Sequence, residues 1–292
     1  MTLTRDEAQA RAAIVHPTAH RIDLDLDAGP RTFGSTTTLT FDAQAGASTF
    51  VDLDPDELLS ASLNGRDLDV TTALDGRRLR LDDLAERNEL VVTARMTYGR
   101  DGQGLHRATD PADSNDYVYG HLFMDAASRV YACFDQPDLK THFAISVTAP
   151  SHWLVRSNGA PESAEPAAAS DETHGNTTTD LTLTTFTPTM PQSTYIVCVI
   201  AGPYALVEDE AVLSDGRRVP LSIMCRPAMR ASLPSADMLR WTKAGLPWCE
   251  RKFGCSYPWG TYDQIFVPEY NIGAMENPGL VTFTEDFVFT SR

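Results

Sequence analysis

Polar and apolar residues alternate with period two over much of the first two thirds of the chain. Arg21-Ile22-Asp23-Leu24-Asp25-Leu26-Asp27 is the cleanest case, and residues 33–41 repeat it with Phe33, Leu39 and Phe41 among threonines. Period two places every second side chain on one face of a strand, and threonine and aromatic residues suit a half-buried sheet. The same reading predicts strands over 49–53, 78–81, 89–98, 143–148, 153–157, 181–187 and 195–200, divided by turn signals such as Asn64-Gly65, Asp75-Gly76 and Asn158-Gly159. So many strands with no long helix between them predict an antiparallel β domain reaching to about Tyr204.

Two segments depart from this rhythm. Residues 4–14 are rich in alanine and charge, and Thr4 with Glu7 three residues later has the spacing of a capping box, so a short helix is expected there. Residues 160–179 carry almost no large apolar side chain and are read as a hairpin tip or loose surface loop. Beyond Gly202-Pro203 the pattern changes, with a strand over 219–225 and then a helix over 236–252, where Leu239, Leu246 and Cys249 recur at helical spacing. Pro247 deletes one helical N–H, so a kink or division is expected. Strands over 262–267 and 281–289 follow.

Composition narrows the function classes. The 24 Lys+Arg against 40 Asp+Glu give a formal charge of -16, which argues against nucleic acid as a partner and is otherwise the ordinary mark of a solvated surface. The five cysteines, Cys133, Cys198, Cys225, Cys249 and Cys255, show no Cys-x-x-Cys pairing and read as reduced thiols, mostly in the core. The start of the chain lacks the basic and apolar regions of a signal peptide, and no run of about 18 apolar residues occurs. A cytoplasmic monomer without membrane contact is expected.

The most informative stretch lies between the last two predicted strands. Gly273-Ala274-Met275-Glu276-Asn277 follows the apolar strand and Pro268-Glu269-Tyr270, and precedes Pro278-Gly279-Leu280-Val281. A carboxylate is the physical means of recognising a free α-ammonium group. At about 4 Å the pair attracts by roughly 4 kcal/mol at an effective dielectric near 20, and a charged hydrogen bond nets roughly 1.5 to 3 kcal/mol. Glu276 can play this part, Gly273 permits close backbone approach, and Gly273 with Ala274 leaves main-chain groups free to pair with an extended peptide. The plain alternative is a bulge or turn with Glu276 facing solvent. Met275 is equally a wall of a substrate pocket or a core methionine.

This stretch resembles the exopeptidase motif of the M1 zinc aminopeptidases, of the bacterial aminopeptidase N type. Further stretches carry the likeness: Leu3-Thr4-Arg5-Asp6-Glu7-Ala8, Leu105-His106-Arg107, and Val130-Tyr131-Ala132-Cys133-Phe134-Asp135-Gln136-Pro137-Asp138-Leu139-Lys140. Asp138 and Lys140 need no role beyond a structural ion pair or a solvated turn. The resemblance implies a mainly β fold: an N-terminal antiparallel β-sandwich or saddle domain over 1–204, then over 205–292 the start of an α+β thermolysin-like catalytic domain. It implies removal of N-terminal residues from peptides, with Gly273, Ala274, Met275, Glu276 and Asn277 binding substrate and Glu276 holding its amine.

Zinc is the implied cofactor, held by a His-Glu-x-x-His helix a few tens of residues after the motif. No such pair occurs among His16, His20, His106, His121, His142, His152 and His174, so the chain is read as ending before its metal site, with no metal ligand and no general base up to Arg292. The chain by itself is then expected to be inactive. The family also carries a Gln-x-Glu or Gln-x-Gln pair that helps hold the amine; counted back from Arg129 without a gap, those places hold His121 and Phe123. A neutral His121 can accept one hydrogen bond, whereas an aromatic Phe123 offers only a cation–π contact of roughly 0.5 to 2 kcal/mol. His121 is equally a plain core or surface histidine. These changes keep a second reading open, a non-catalytic binding or scaffold relative built on the same β domain. An epoxide hydrolase relative is a third, although nothing in the chain recommends a lipid substrate.

Overall fold

The computed structural model describes residues 3–168 and 180–288. It begins with helix α1, Arg5–Ile14, closed by the expected capping box: the Thr4 N–H donates to Glu7 Oε2 at 2.9 Å and the Glu7 N–H to Thr4 Oγ1 at 3.3 Å. The helix sets Arg11 into the protein at 2 % exposure, where its guanidinium donates to Asp52 Oδ2 at 2.8 Å and Gln136 Oε1 at 3.0 Å. Nothing in the amphipathic pattern of so short a helix marked that arginine as buried.

An eight-stranded sheet follows, in the order Pro161–Ala167, Leu181–Phe186, His142–Pro150, Val15–Asp25, Thr32–Ala43, Arg87–Thr97, Glu57–Leu63 and Arg66–Asp67. Its alternation is the one read from the sequence: Phe33, Leu39 and Phe41 are buried while Thr36, Thr38 and Thr40 lie on the other face. A three-stranded sheet of Thr49–Asp52, Arg78–Leu81 and Leu74–Asp75 adds Val51, Leu79 and Leu81 to the same core. A four-stranded sheet, Leu154–Ser157, Val199–Gly202, Asp116–His121 and Gly104–Thr109, completes the region before Tyr204.

Three expectations need correction here. The region is not wholly antiparallel, because Val15–Asp25 pairs with His142–Pro150 in parallel, Asp23 opposite Ser146. Residues Pro161–Ala167 form a strand instead of part of a loop, pairing with Leu181–Phe186, with Ser163 Oγ 2.7 Å from Thr185 Oγ1. An edge strand buries little, so it needs no apolar residues and tolerates Pro161 and Pro166. Residues 169–179 of that expected loop lie outside the described residues. Strands Glu57–Leu63, Gly104–Thr109 and Asp116–His121 were not read from the sequence; the last two are buried on both faces and show no alternation.

After Tyr204 the chain builds a five-stranded mixed sheet in the order Ala205–Val212, Arg218–Cys225, Tyr262–Val267, Leu280–Thr284 and Ala274–Met275. The middle three run parallel, and helix α2, Ser235–Phe253, connects the first two of them. That helix runs undivided through Pro247 and ends at Gly254, whose φ of 67° is the left-handed cap glycine favours. The strand expected over 281–289 stops at Thr284, whose hydroxyl accepts the Asp286 N–H and opens a 3-10 turn at Glu285–Phe287. Phe289 lies outside the described residues.

The two sheet systems share a core. Tyr117, Tyr119 and Ile200 from the four-stranded sheet, with the adjoining Cys198, pack with Met224, Ile265, Val267, Met275 and Leu280 from the mixed sheet and with Tyr270 from the turn before its last strand. All five cysteines are free; Cys133, Cys198 and Cys225 are buried, and Cys249 and Cys255 are exposed. Among the described residues no helix is long and apolar enough to cross a membrane.

Candidate substrate-amine site

The motif forms the last strand of the mixed sheet and the tight turn after it. Ala274 pairs with Phe283 and Met275 with Thr282, and the Thr284 N–H donates to Gly273 O at 3.0 Å. Ala274–Met275 is the end strand in the sheet order, so its outer edge can receive another strand. Alternation then fixes the side chains. Met275 is buried at 5 % exposure and belongs to the shared core, which answers the question left open for it, while Glu276 is exposed.

Asn277 is buried and its Nδ2 donates to Thr282 Oγ1 at 3.3 Å. The turn closes with the Leu280 N–H donating to Asn277 O at 3.1 Å. Gly279 sits there at φ 78°, and a Cβ on it would meet Asn158 O at 2.3 Å. Asn158 Nδ2 in turn donates to Pro278 O at 2.8 Å and to Ile196 O at 3.0 Å. The Asn158-Gly159 pair, read as a turn signal, thus also anchors the motif's turn.

Tyr270 links the motif to the β region. Its hydroxyl shares a 2.8 Å hydrogen bond with Thr282 Oγ1, and its ring lies 5.1 Å from that of His121. Burial raises the Tyr270 phenol above its ordinary range, offset by the Thr282 hydrogen bond, with Glu276 among the negative charges that add to the rise.

His121 is 3 % exposed. Its Nδ1 lies 2.7 Å from Gly102 O, and because a carbonyl only accepts, Nδ1 must carry the proton. Burial lowers the pKa of the ring, the Gly102 hydrogen bond opposing. The neutral ring then presents Nε2 as a lone-pair acceptor, and Nε2 has no hydrogen-bond partner among the described residues. Phe123, two residues on, is 44 % exposed with its ring 5.6 Å from Tyr195. Asp138 and Lys140 are exposed in a turn, the bland outcome allowed for them.

Among the described residues no three His, Cys, Asp or Glu side chains converge to hold a metal ion. His20 binds Ala132 O, His106 meets Glu269 and His142 meets Thr189 O, each in a different place. The donor set among the described residues does not fit zinc.

What the sequence and the site define is a β domain joined to a mixed sheet whose open edge carries an exposed carboxylate. Residues 101–196 match the peptidase M1 N-terminal domain and residues 238–291 the peptidase family M1 domain. The chain is 39 % identical to aminopeptidase N of Streptomyces lividans over 99 % of its own length and 32 % of that protein. It is 29 % identical to bovine glutamyl aminopeptidase over 67 % of its length and 18 % of the relative, and 31 % identical to chicken aminopeptidase Ey over 55 % and 15 %. The chain belongs to peptidase family M1, and it spans about a third or less of the length of these relatives.

Proposed function

We propose that the protein to which this chain contributes is a zinc-dependent aminopeptidase that removes N-terminal residues from peptides, and that Glu276 holds the α-ammonium group of the substrate. The observation that carries the reading is the exposed Glu276 beside an unpaired strand edge at Ala274–Met275, where a peptide can add by main-chain hydrogen bonds and present its first nitrogen to a carboxylate. In this proposal residues 1–204 are the N-terminal β domain and 205–292 the start of the catalytic domain. The protein acts as a monomer in the cytoplasm, and metal ligands and general base come from outside this chain.

His121 stands at the second anchor position as a neutral ring 3 % exposed with its Nε2 enclosed, so it offers the amine neither a charge nor an open acceptor. Phe123 brings no charge, so amine capture rests mainly on Glu276. That substitution favours the scaffold reading by one observation, whereas the intact strand-and-carboxylate arrangement favours the peptidase. In the full-length protein, Glu276→Ala is expected to cut kcat/KM severely on aminoacyl substrates while leaving zinc content unchanged; near-normal turnover would remove the anchoring role. The 292-residue chain alone is expected to bind no stoichiometric zinc and to hydrolyse no aminoacyl amide, and measurable turnover by it would contradict the proposal.

A further inference from the structure

The geometry points to His106 as a positioning residue for Glu276, acting through the turn at Glu269, Tyr270 and Asn271. The loop around Gly102 in the β region thereby sets where the anchoring carboxylate stands. The inference rests on the amine-anchoring reading of Glu276 and adds to it the residues that fix the anchor's place.

Glu269 is held at φ 54°, a left-handed conformation that side-chain-bearing residues rarely adopt. Two contacts from the β region hold it there. His106 Nε2 lies 2.9 Å from Glu269 Oε2, and the Tyr119 hydroxyl donates to Glu269 O at 3.1 Å. The direction of the histidine contact is fixed. The Gly102 N–H donates to His106 Nδ1 at 3.0 Å, so the ring proton sits on Nε2 and points at the carboxylate. The ring is 1 % exposed and stacked on Tyr119 at 4.9 Å, which leaves it no other orientation.

The loop that orients His106 also grips the turn directly. Asn271 Nδ2 donates to Asp101 O at 2.9 Å, and Arg129 holds the Asp101 carboxylate at 2.9 and 3.2 Å. Gly102 lies at φ 76°, and a Cβ there would come within 2.8 Å of the Asn271 side chain. Its N–H serves His106 and its carbonyl serves His121, so one glycine orients both histidines. Between the gripped residues stands Tyr270, fixed to Thr282, the residue paired with Met275 next to Glu276. A shift of the turn therefore reaches the anchor through Tyr270 and through the backbone.

The test uses the full-length protein and two competitive inhibitors that differ only in possessing or lacking the α-amine. His106→Ala and Asn271→Ala are expected to weaken the amine-bearing inhibitor about tenfold, the scale of one charged hydrogen bond, with the des-amino analogue within about twofold. KM for an aminoacyl amide should rise while kcat changes little. His106→Gln, which keeps a side-chain N–H, should recover most of the preference. Equal weakening of both inhibitors, or of neither, overturns the inference. Glu276→Ala is measured alongside: if it retains the amine preference the anchoring reading fails, and if it alone loses the preference only the positioning role fails. Should His106→Ala not fold, the exposed Asn271→Ala decides in the same terms.

Discussion

His20 is fully enclosed, its ring 5.1 Å from Phe143 and 5.2 Å from Tyr131, with Nε2 3.0 Å from Ala132 O. Burial pushes its pKa down to about 3, the Ala132 carbonyl opposing. In the unfolded chain a histidine titrates near 6.5, so as pH falls from about 6.5 to about 3 the unfolded state takes up a proton that the fold refuses. Stability is present above that window and lost through it, by up to about 1.4 kcal/mol per pH unit. Asp135 acts in the opposite sense: burial raises its carboxyl to about 6, so its share of stability falls as pH rises from about 4. Urea unfolding at pH 5 and pH 7 separates the two, since His20→Gln should lose less stability on acidification than the parent; identical losses would show that His20 does not titrate on unfolding. This role is not legible in the sequence, because a histidine's burial depends on which strands cover it. Met275 was no more legible, since pocket wall and core were equal readings of a methionine there, and only the fold sets it in the shared core.

Among the elements, α2 shows most plainly how local chemistry and packing divide the work. Helical spacing located it, and it runs Ser235–Phe253 despite Pro247, because Leu239, Leu246 and Met238 pack on the mixed sheet beside Leu221 and Ile223. Tertiary burial here outweighs a residue that is about 3 kcal/mol worse than alanine in a helix interior. Pro247→Ala is therefore expected to raise the unfolding free energy, by up to about 3 kcal/mol, with unchanged far-UV ellipticity. A loss of stability would mean that the proline ring makes contacts the helix depends on. Cys249 shares the helical period but is exposed, so periodicity alone overstates the buried stripe. Strand Pro161–Ala167 failed the opposite way, as a polar edge has no apolar period to read.

For the molecule as a whole, the turn after Glu276 is fastened to the β region at Asn158 and Gly279. A methyl group at Gly279 would face both a positive φ and a backbone oxygen at 2.3 Å, so Gly279→Ala should cost more than about 2 kcal/mol in equilibrium unfolding. A smaller cost would mean that the turn and Asn158 separate readily. An excised 205–292 segment should show no cooperative unfolding transition, because Tyr270, Met275 and Leu280 would lose the Tyr117, Tyr119 and Ile200 side chains that cover them. The change of architecture near Tyr204 was legible from the shift in periodicity. The contacts that join the parts were not, since Gly102, His106, Asn158 and Glu269 are brought together only by folding.

The central claim is that a single carboxylate recognises the first nitrogen of a peptide. Its most direct measurement is the ratio of dissociation constants, in the full-length protein and in Glu276→Gln, for an inhibitor bearing an α-amine and its des-amino twin. The account predicts a preference for the amine of about tenfold or more in the parent, collapsing towards unity in the variant. A preference that survives the substitution would contradict it.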